Sequence, residues 1–294
     1  MTAAAGPAAV RLTLWGVGGS APTGRADRAV YGGDTVCFEI RSETEGAIPL
    51  VIDLGTGARD LGAALMAEAA ASGRPPEAEI LLSHLHLDHI MGAPFFAPFY
   101  DPKARLRLRC GLSRDAAVAR EALGVFAAPP FFPVQPMEMG CVRWGVFAPG
   151  ERFEAAGFQV QAIGLNHPGG ACGFRVETPH GAICMIGDHE HGDPEIDDAV
   201  AEAVSGAAIL LFDATYDAGD YPRHRGWGHS TWEQGVALAR RAEVGLALLH
   251  HHGPEKSDDD LAARDAAVQA ALPQARLARQ GSVWRLTDGA ASLA

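Results

Sequence analysis

Cysteine is scarce and badly placed for cross-linking. Cys37, Cys110, Cys141, Cys172 and Cys184 are odd in number, widely spaced and never in a CxxC pair. That argues against a disulfide scaffold or a zinc finger and suits a reducing compartment. Positive charge is also in short supply: 24 Lys and Arg face 36 Asp and Glu, for a net charge of −12. A protein that grips a long nucleic acid normally presents a basic patch, so such a partner is not expected. No apolar run approaches the roughly 20 residues that a membrane helix needs, so no membrane partner is expected. Met1–Val10 is small and apolar but lacks the basic segment of a secretory leader, so the expected location is cytoplasmic. Linkers, low-complexity runs and short-period repeats are missing too. With 294 residues, 48% of them apolar, the chain can bury a sizeable core, and we read 1–294 as one domain.

What is present is a strand-and-helix pattern with mixed sheets covered by helices, an α/β class. Val10–Trp15, Thr35–Arg41, Pro49–Leu54 and Glu79–Ser83 read as strands in the first half. Phe158–Ile163, Ala171–Glu177, Ala182–Ile186, Ala208–Phe212 and Gly245–Leu249 read as strands in the second. Helices are expected over Arg59–Ala71, 194–204, 231–243 and 259–271, with a short one opening at Asp88 or His89. Ser230-Thr231-Trp232-Glu233 matches a capping box for the helix at 231–243. The stretch from Ala93 to Pro149 is less regular, with aromatic pairs Phe95-Phe96 and Phe131-Phe132 among prolines. Those pairs are expected in the core or at a homodimer contact; a substrate wall is the minority reading.

The chemistry concentrates in Ser83-His84-Leu85-His86-Leu87-Asp88-His89. Three imidazoles and a carboxylate so close together are costly unless a cation holds them. His84 and His86 leave a strand two residues apart, so extended backbone points both the same way. Asp88 and His89 follow where the chain turns into a helix, and can face a second position. Four such groups rarely serve one ion, so two adjacent ions are expected. Further ligands must come from the ends of other strands: His167 in Gly164-Leu165-Asn166-His167-Pro168, Asp188 in Met185-Ile186-Gly187-Asp188, and a member of His250-His251-His252. Taken alone, Asn-His-Pro and Gly-Asp are common turns; their order along the chain is what singles them out.

The order HxHxDH, His, Gly-Asp, Gly-His-Ser-Thr and a late strand-end His resembles the metallo-β-lactamase-fold hydrolases. The resemblance is strongest to their phosphodiesterase branch, which includes tRNA 3′-end processing endonucleases and the cyclic phosphodiesterase of phosphonate breakdown. It runs from Trp15-Gly16-Val17-Gly18-Gly19-Ser20 to the helix after His251. It implies an αββα sandwich of two mixed β-sheets flanked by helices, with a two-metal site at one edge of the sheets. By that resemblance, His84, His86 and His167 hold one ion, Asp88, His89 and His251 hold the other, and Asp188 bridges. His250 and His252 are the fallbacks for His251. Asp53, in Val51-Ile52-Asp53-Leu54-Gly55, matches a carboxylate that orients the His-rich loop from behind. All ligands are N or O donors, so Zn²⁺ is the expected occupant, with Mn²⁺ and Fe²⁺ compatible with the same set. Asp88 counts as catalytic as well as ligating.

Two divalent cations would lower the pKa of a water between them towards about 7 and clamp an anionic phosphodiester. The leaving alkoxide then needs a proton. The resemblance gives that task to His229, in Gly226-Trp227-Gly228-His229-Ser230-Thr231, with Asp213 orienting it. His189, His191 and His224 are expected behind the site or exposed. The tRNA-processing relatives carry a long basic arm between the third-motif His and the bridging Asp. Between His167 and Asp188 this chain has room only for a strand, a turn and a strand. With the charge of −12, that points to a small phosphodiester, such as a cyclic nucleotide or cyclic sugar phosphate, rather than tRNA. A lactonase or β-lactamase-like carbonyl hydrolase shares the ligands and is the competing class. An iron oxidoreductase of this fold is disfavoured by His86, where such relatives have Glu. A non-catalytic metal-binding module is the third alternative.

Overall fold

The computed structural model describes residues 6–111, 115–133 and 141–294. Half of the N-terminal stretch Met1–Val10 therefore lies outside the described residues. One sheet is built from β1 (Val10–Gly16), β2 (Cys37–Ser42), β3 (Leu50–Ile52), β4 (Glu77–Leu82), β5 (Arg105–Cys110) and β6 (Val142–Val146). The second takes β7 (Arg152–Ala155), β8 (Phe158–Leu165), β9 (Ala171–Glu177), β10 (Ile183–Ile186), β11 (Ile209–Asp213), β12 (Leu246–His250) and β13 (Ala275–Leu277). The chain then returns to the first sheet as β14 (Val283–Thr287) and β15 (Ala290–Leu293). Among the described residues the strand orders are β15-β14-β1-β2-β3-β4-β5-β6 and β13-β12-β11-β10-β9-β8-β7. β3 to β6 and β10 to β13 run parallel within their sheets, and the remaining neighbours pair antiparallel.

The parallel strands explain the continuous apolar runs. Ile209-Leu210-Leu211-Phe212 and Leu246-Ala247-Leu248-Leu249 are buried at every position, because each face of their sheet is covered. The two sheets meet face to face through Leu12, Phe38, Ile52 and Leu81 of the first and Val160, Phe174, Met185, Leu211 and Leu248 of the second. The outer face of the first sheet packs on α1 (Ala58–Ser72) and α3 (Ala116–Phe126), with Leu61, Leu65 and Leu123 in that layer. The outer face of the second packs on α4 (Pro194–Ala203), α5 (Trp232–Arg241) and α6 (Asp258–Ala271) through Val200, Val236, Leu261 and Val268. Each fully buried Leu, Val or Phe contributes about 1.5–3 kcal/mol, so these three apolar layers hold the sandwich together. No described helix is long and apolar enough to cross a membrane.

Helix ends follow local chemistry. α1 closes on Gly73 at φ +70°, whose N–H reaches Ala69 O. Asp193 caps α4 by accepting from Glu195 N and Ile196 N, with Pro194 at the first helical position. The capping box expected at Ser230 is not formed. Thr231 is the cap of α5 and accepts from Gln234 N, while Ser230 Oγ donates to His189 O. Ser230 sits one residue too early and its hydroxyl is drawn into the site. A reciprocal box does form at α6, between Ser257 and Asp260. The short helix α2 spans Leu87–Ile90, so it opens one residue before Asp88. The aromatic pairs are split. Phe96 is buried against Phe99, whereas Phe95 and Phe131 are exposed and Phe95 meets Phe132 edge-on at 5.5 Å.

Candidate metal centre

β4, β8, β10, β11 and β12 all deliver their carboxyl ends to one edge of the sandwich. His84, His86, Asp88 and His89 follow β4, His167 follows β8, and Asp188 follows β10. Asp213 ends β11, and His251 comes just after β12. The seven expected ligands His84, His86, Asp88, His89, His167, Asp188 and His251 are thereby brought to one place. Among the described residues three groups of donor atoms share the Asp188 carboxylate; one joins it to Asp213, His229 and His251, and the other two hold the expected ligands. His84, His86, His167 and Asp188 make the first, and Asp88, His89, His251 and Asp188 the second, with the donors of each group within 4.8 Å of one another. Asp188 turns one oxygen to each of these two. Its Oδ2 is 3.6 Å from His84 Nε2 and 3.6 Å from His167 Nε2. Its Oδ1 is 3.1 Å from His89 Nε2 and 3.3 Å from His251 Nε2. Asp88 Oδ2 closes the second group at 3.2 Å from His251 Nε2 and 3.6 Å from His89 Nε2. His86 Nδ1 closes the first, 2.9 Å from His167 Nε2.

The outward nitrogens are spoken for. His84 Nδ1–H donates to Ser83 Oγ at 3.0 Å, and Ser83 Oγ–H donates to Asp53 Oδ2 at 2.7 Å. His89 Nδ1–H donates to Asp53 Oδ2 at 2.8 Å, and Asp53 Oδ1 accepts from Ser83 N at 2.7 Å. His167 Nδ1–H donates to Gly228 O at 2.9 Å. His251 Nδ1–H donates to Thr215 Oγ1 at 2.8 Å, whose own hydrogen goes to Asp213 Oδ1 at 2.7 Å. These bonds fix the orientation of all four rings and turn each Nε2 towards the cluster. The backbone is bent to suit: Asp53 and His251 are held at φ +61° and +63°, a left-handed conformation costly for residues other than glycine.

Two glycines make room for the rings. A Cβ on Gly19 would lie 2.1 Å from His251 Nδ1, and one on Gly228 would lie 2.2 Å from His167 Nδ1. Within the His triplet only His251 joins the cluster. His250 packs edge-on against Phe38 at 5.1 Å, and His252 Nε2 donates to Ala278 O at 2.9 Å. Burial without an acidic neighbour in contact pushes both of those imidazoles down to about 3.

Charge is distributed unevenly across the cluster. Burial, with the neighbouring His89, holds His84 well below the usual imidazole range, and burial lowers His167. Burial also opposes a charge on His89 and His251. There the carboxylates win: Asp188 and Asp53 raise His89 well above its ordinary value, and Asp188 and Asp88 lift His251 to about 9. Burial works against ionising Asp188, yet the His251 and His89 cations hold it well below the carboxylate range. Among the described residues, His84 Nε2, His89 Nε2 and Asp188 Oδ1 are buried without a hydrogen-bond partner. Buried polar atoms left unpaired are expensive. Orphaned lone pairs that converge among N and O donors fit divalent metal ions, with no thiolate in the set.

His229 lies on the rim, its ring stacked on His251 at 4.6 Å and 5.4 Å from His167. Its Nδ1–H donates to Asp213 Oδ2 at 2.8 Å, as the expected pairing requires. His189 is buried behind the cluster, paired with Asp197 at 3.2 Å. His191 reaches Ser230 Oγ at 3.2 Å, and His224 stacks on Tyr216 at 4.3 Å. Sequence reading missed Ser83, Thr215 and Glu190. Ser83 and Thr215 adjoin recognised residues, in Ser83-His84 and Asp213-Ala214-Thr215, and that adjacency was the available signal. Glu190 carries no motif of its own.

Comparison with known proteins agrees with this geometry. A ribonuclease Z of Bradyrhizobium sp. (strain ORS 278) is 26% identical over 282 residues, covering 79% of this chain and 88% of the relative. The crystal structure of the metallo-beta-lactamase fold protein YhfI from Bacillus subtilis superposes with a TM-score of 0.68 at 16% identity, over 95% of this chain and 99% of that one. A diphosphatase from the PhnP family superposes with a TM-score of 0.63 at 18% identity, over 95% of this chain and 98% of that one. Residues 49–252, from β3 to the triplet that carries His251, match the model of the beta-lactamase superfamily domain, and the chain belongs to that family as a hydrolase of the metallo-β-lactamase fold.

Proposed function

We propose that this chain hydrolyses small phosphodiesters of the cyclic nucleotide or cyclic sugar phosphate type, using two divalent cations, Zn²⁺ first and Mn²⁺ or Fe²⁺ on the same donors. The observation that carries the reading is Asp188, with one oxygen in each donor group, beside the His229–Asp213 pair. His84, His86 and His167 would hold one ion and Asp88, His89 and His251 the other, with Asp188 between them. When bound, the two ions supply activation of water and neutralise charge on the phosphate oxygens.

The chain's own residues do the rest. Asp213 takes the Nδ1–H of His229 and fixes the ring's orientation. Nε2 is thereby left to pass a proton to the leaving oxygen as its bond to phosphorus breaks. The water oxygen makes the new bond to phosphorus, and the proton it gives up restores His229. Asp88 stays ionised, held by Ser20 N at 2.7 Å and by His251.

The small size of the substrate is supported by what lies between His167 and Asp188. β9 and β10 use up that interval, leaving no segment for a basic arm, and the chain carries −12 overall. The same argument disfavours precursor tRNA. Metal-reconstituted protein should turn over cyclic nucleotides or aryl phosphodiesters with Zn²⁺ or Mn²⁺. Turnover of lactones with every phosphodiester left intact would reject the reading in favour of a carbonyl hydrolase. Tight binding and 3′ trimming of precursor tRNA would reject the small-substrate part.

A further inference from the structure

Glu190 stands two residues beyond Asp188, is nearly buried, and lies outside both donor groups. Its carboxylate nonetheless accepts three hydrogen bonds from a single loop. Oε1 takes Gly226 N at 2.7 Å and Tyr221 Oη at 3.1 Å, and Oε2 takes Gly228 N at 2.8 Å. Gly226 and Gly228 are at φ +83° and +86°. In that left-handed conformation, which only glycine adopts without strain, their N–H groups converge on one carboxylate. The backbone of Glu190 is tied to the other side of the site. Its N–H donates to Asn166 O at 2.8 Å, and Asn166 Nδ2 donates to Glu190 O at 2.8 Å. Gly228 O in turn accepts from His167 Nδ1 at 2.9 Å. The result is a closed circuit: His167, Gly228, Glu190, Asn166 and back to His167 along the chain.

We propose that Glu190 is the positioning residue that sets both the ligating face of His167 and the approach of His229. The inference rests on the proposed two-metal reading for its kinetic consequence, but its structural consequence is independent of substrate. The segment 221–228 opens with a 3₁₀ turn at Tyr221–Arg223 and ends at the buried Gly228, with Trp227 61% accessible between its two glycines. A glycine-flanked segment holds a carbonyl at hydrogen-bond distance from an imidazole only with an anchor. Glu190 is that anchor. A carboxylate suits the task because it only accepts and has capacity for all three donors. A Gln at this place must turn its NH₂ towards either Gly228 N–H or the Gly226 and Tyr221 donors, so at least one donor loses its partner.

The test compares E190Q and E190A with the wild type by three readouts. The first is hydrogen exchange of the peptide spanning 221–230, which should rise at least about tenfold in both variants while β10 to β12 exchange as before. The second is Zn²⁺ titration, where one of two equivalents should weaken by roughly ten- to a hundredfold and the other stay within about threefold. The third is turnover of an aryl phosphodiester, where kcat should fall about ten- to a hundredfold with KM changed less than threefold. If E190A does not fold, E190Q decides the matter, since it keeps the volume. Wild-type exchange and two unaltered Zn²⁺ equivalents in E190Q would overturn the proposal. Wild type that cleaves no phosphodiester overturns the proposed function alone, because exchange and Zn²⁺ titration still judge Glu190.

Discussion

The two groups of expected ligands that share Asp188 are built to opposite electrostatic plans. In the first, His167 rests its outer nitrogen on the Gly228 carbonyl, and His84 reaches Asp53 only through the Ser83 hydroxyl. In the second, His89 and His251 rest on anions, Asp53 directly and Asp213 through Thr215, and Asp88 lies in the cluster itself. The first pair is pushed below the ordinary imidazole pKa and the second above it. The lesson is that two donor groups around one carboxylate need not be symmetrical in charge. Here burial favours the neutral forms of His84 and His167 in the first group, and neighbouring carboxylates favour the charged forms of His89 and His251 in the second.

Removing the shared element should have the largest effect. Asp188→Asn withdraws charge from both groups at once, so both equivalents of metal should be lost on dialysis and turnover should fall about 10⁴-fold. Retention of one tightly bound equivalent would show that the groups are independent.

Next in size is His229→Ala, expected to cost about 10²–10³-fold on substrates with alkyl leaving groups. The loss should shrink on nitrophenyl esters, whose leaving group needs no proton, and metal content should stay at two per chain. An equal loss on both substrate types would assign His229 a role other than proton donation.

The groups can then be separated. Asp53→Asn should weaken chiefly the second equivalent, by roughly ten- to a hundredfold, because it removes the charge directly behind His89, with a smaller effect on the first through the Ser83 hydroxyl behind His84. Gly228→Ala should disturb only the first, since the added Cβ would lie 2.2 Å from His167 Nδ1. Calorimetric titration of the two variants in parallel reads the difference, and the same equivalent weakening most in both would dissolve the distinction drawn above.

The smallest effect is on pH. In the metal-free chain His251 holds a proton until pH rises through about 9, so a cation entering the second group must displace it. Affinity there should climb steeply as pH rises from neutrality towards 9, with protons released from both His251 and His89 on binding. His84 and His167 are already neutral at pH 7, so the first equivalent should show almost no dependence over the same range. Proton release measured in two weakly buffered media checks both statements.

Much of this site was legible because ligation chemistry demands particular residue types. His84, His86, Asp88 and His89 announce themselves by crowding, and His167, Asp188 and His251 by standing at strand ends in a fixed order. Asp53 and the His229–Asp213 pair followed from the family resemblance, and the structure brings them within hydrogen-bond distance of their partners. The supporting residues were hidden for a physical reason. A Ser, Thr or Glu that accepts or donates one hydrogen bond looks in sequence like any polar loop residue, and its partner lies far along the chain. Glu190 reaches residues 36 and 38 positions away. The Ser230 capping box failed likewise, because the hydroxyl had a better acceptor in His189 O.

By itself, then, the sequence determined the α/β class, most of the strands and the donor types, since hydrophobic periodicity and ligand chemistry are local or ordered properties. Tertiary structure decided which histidine of Leu249-His250-His251-His252 faces the cluster. Backbone at φ +63° swings His251 into it, and the space left by Gly19 receives its ring. It also decided that Asp188 splits its oxygens between two unlike groups, because only the packing of two sheets face to face sets donors from the ends of β4, β8 and β12 around one carboxylate at the end of β10.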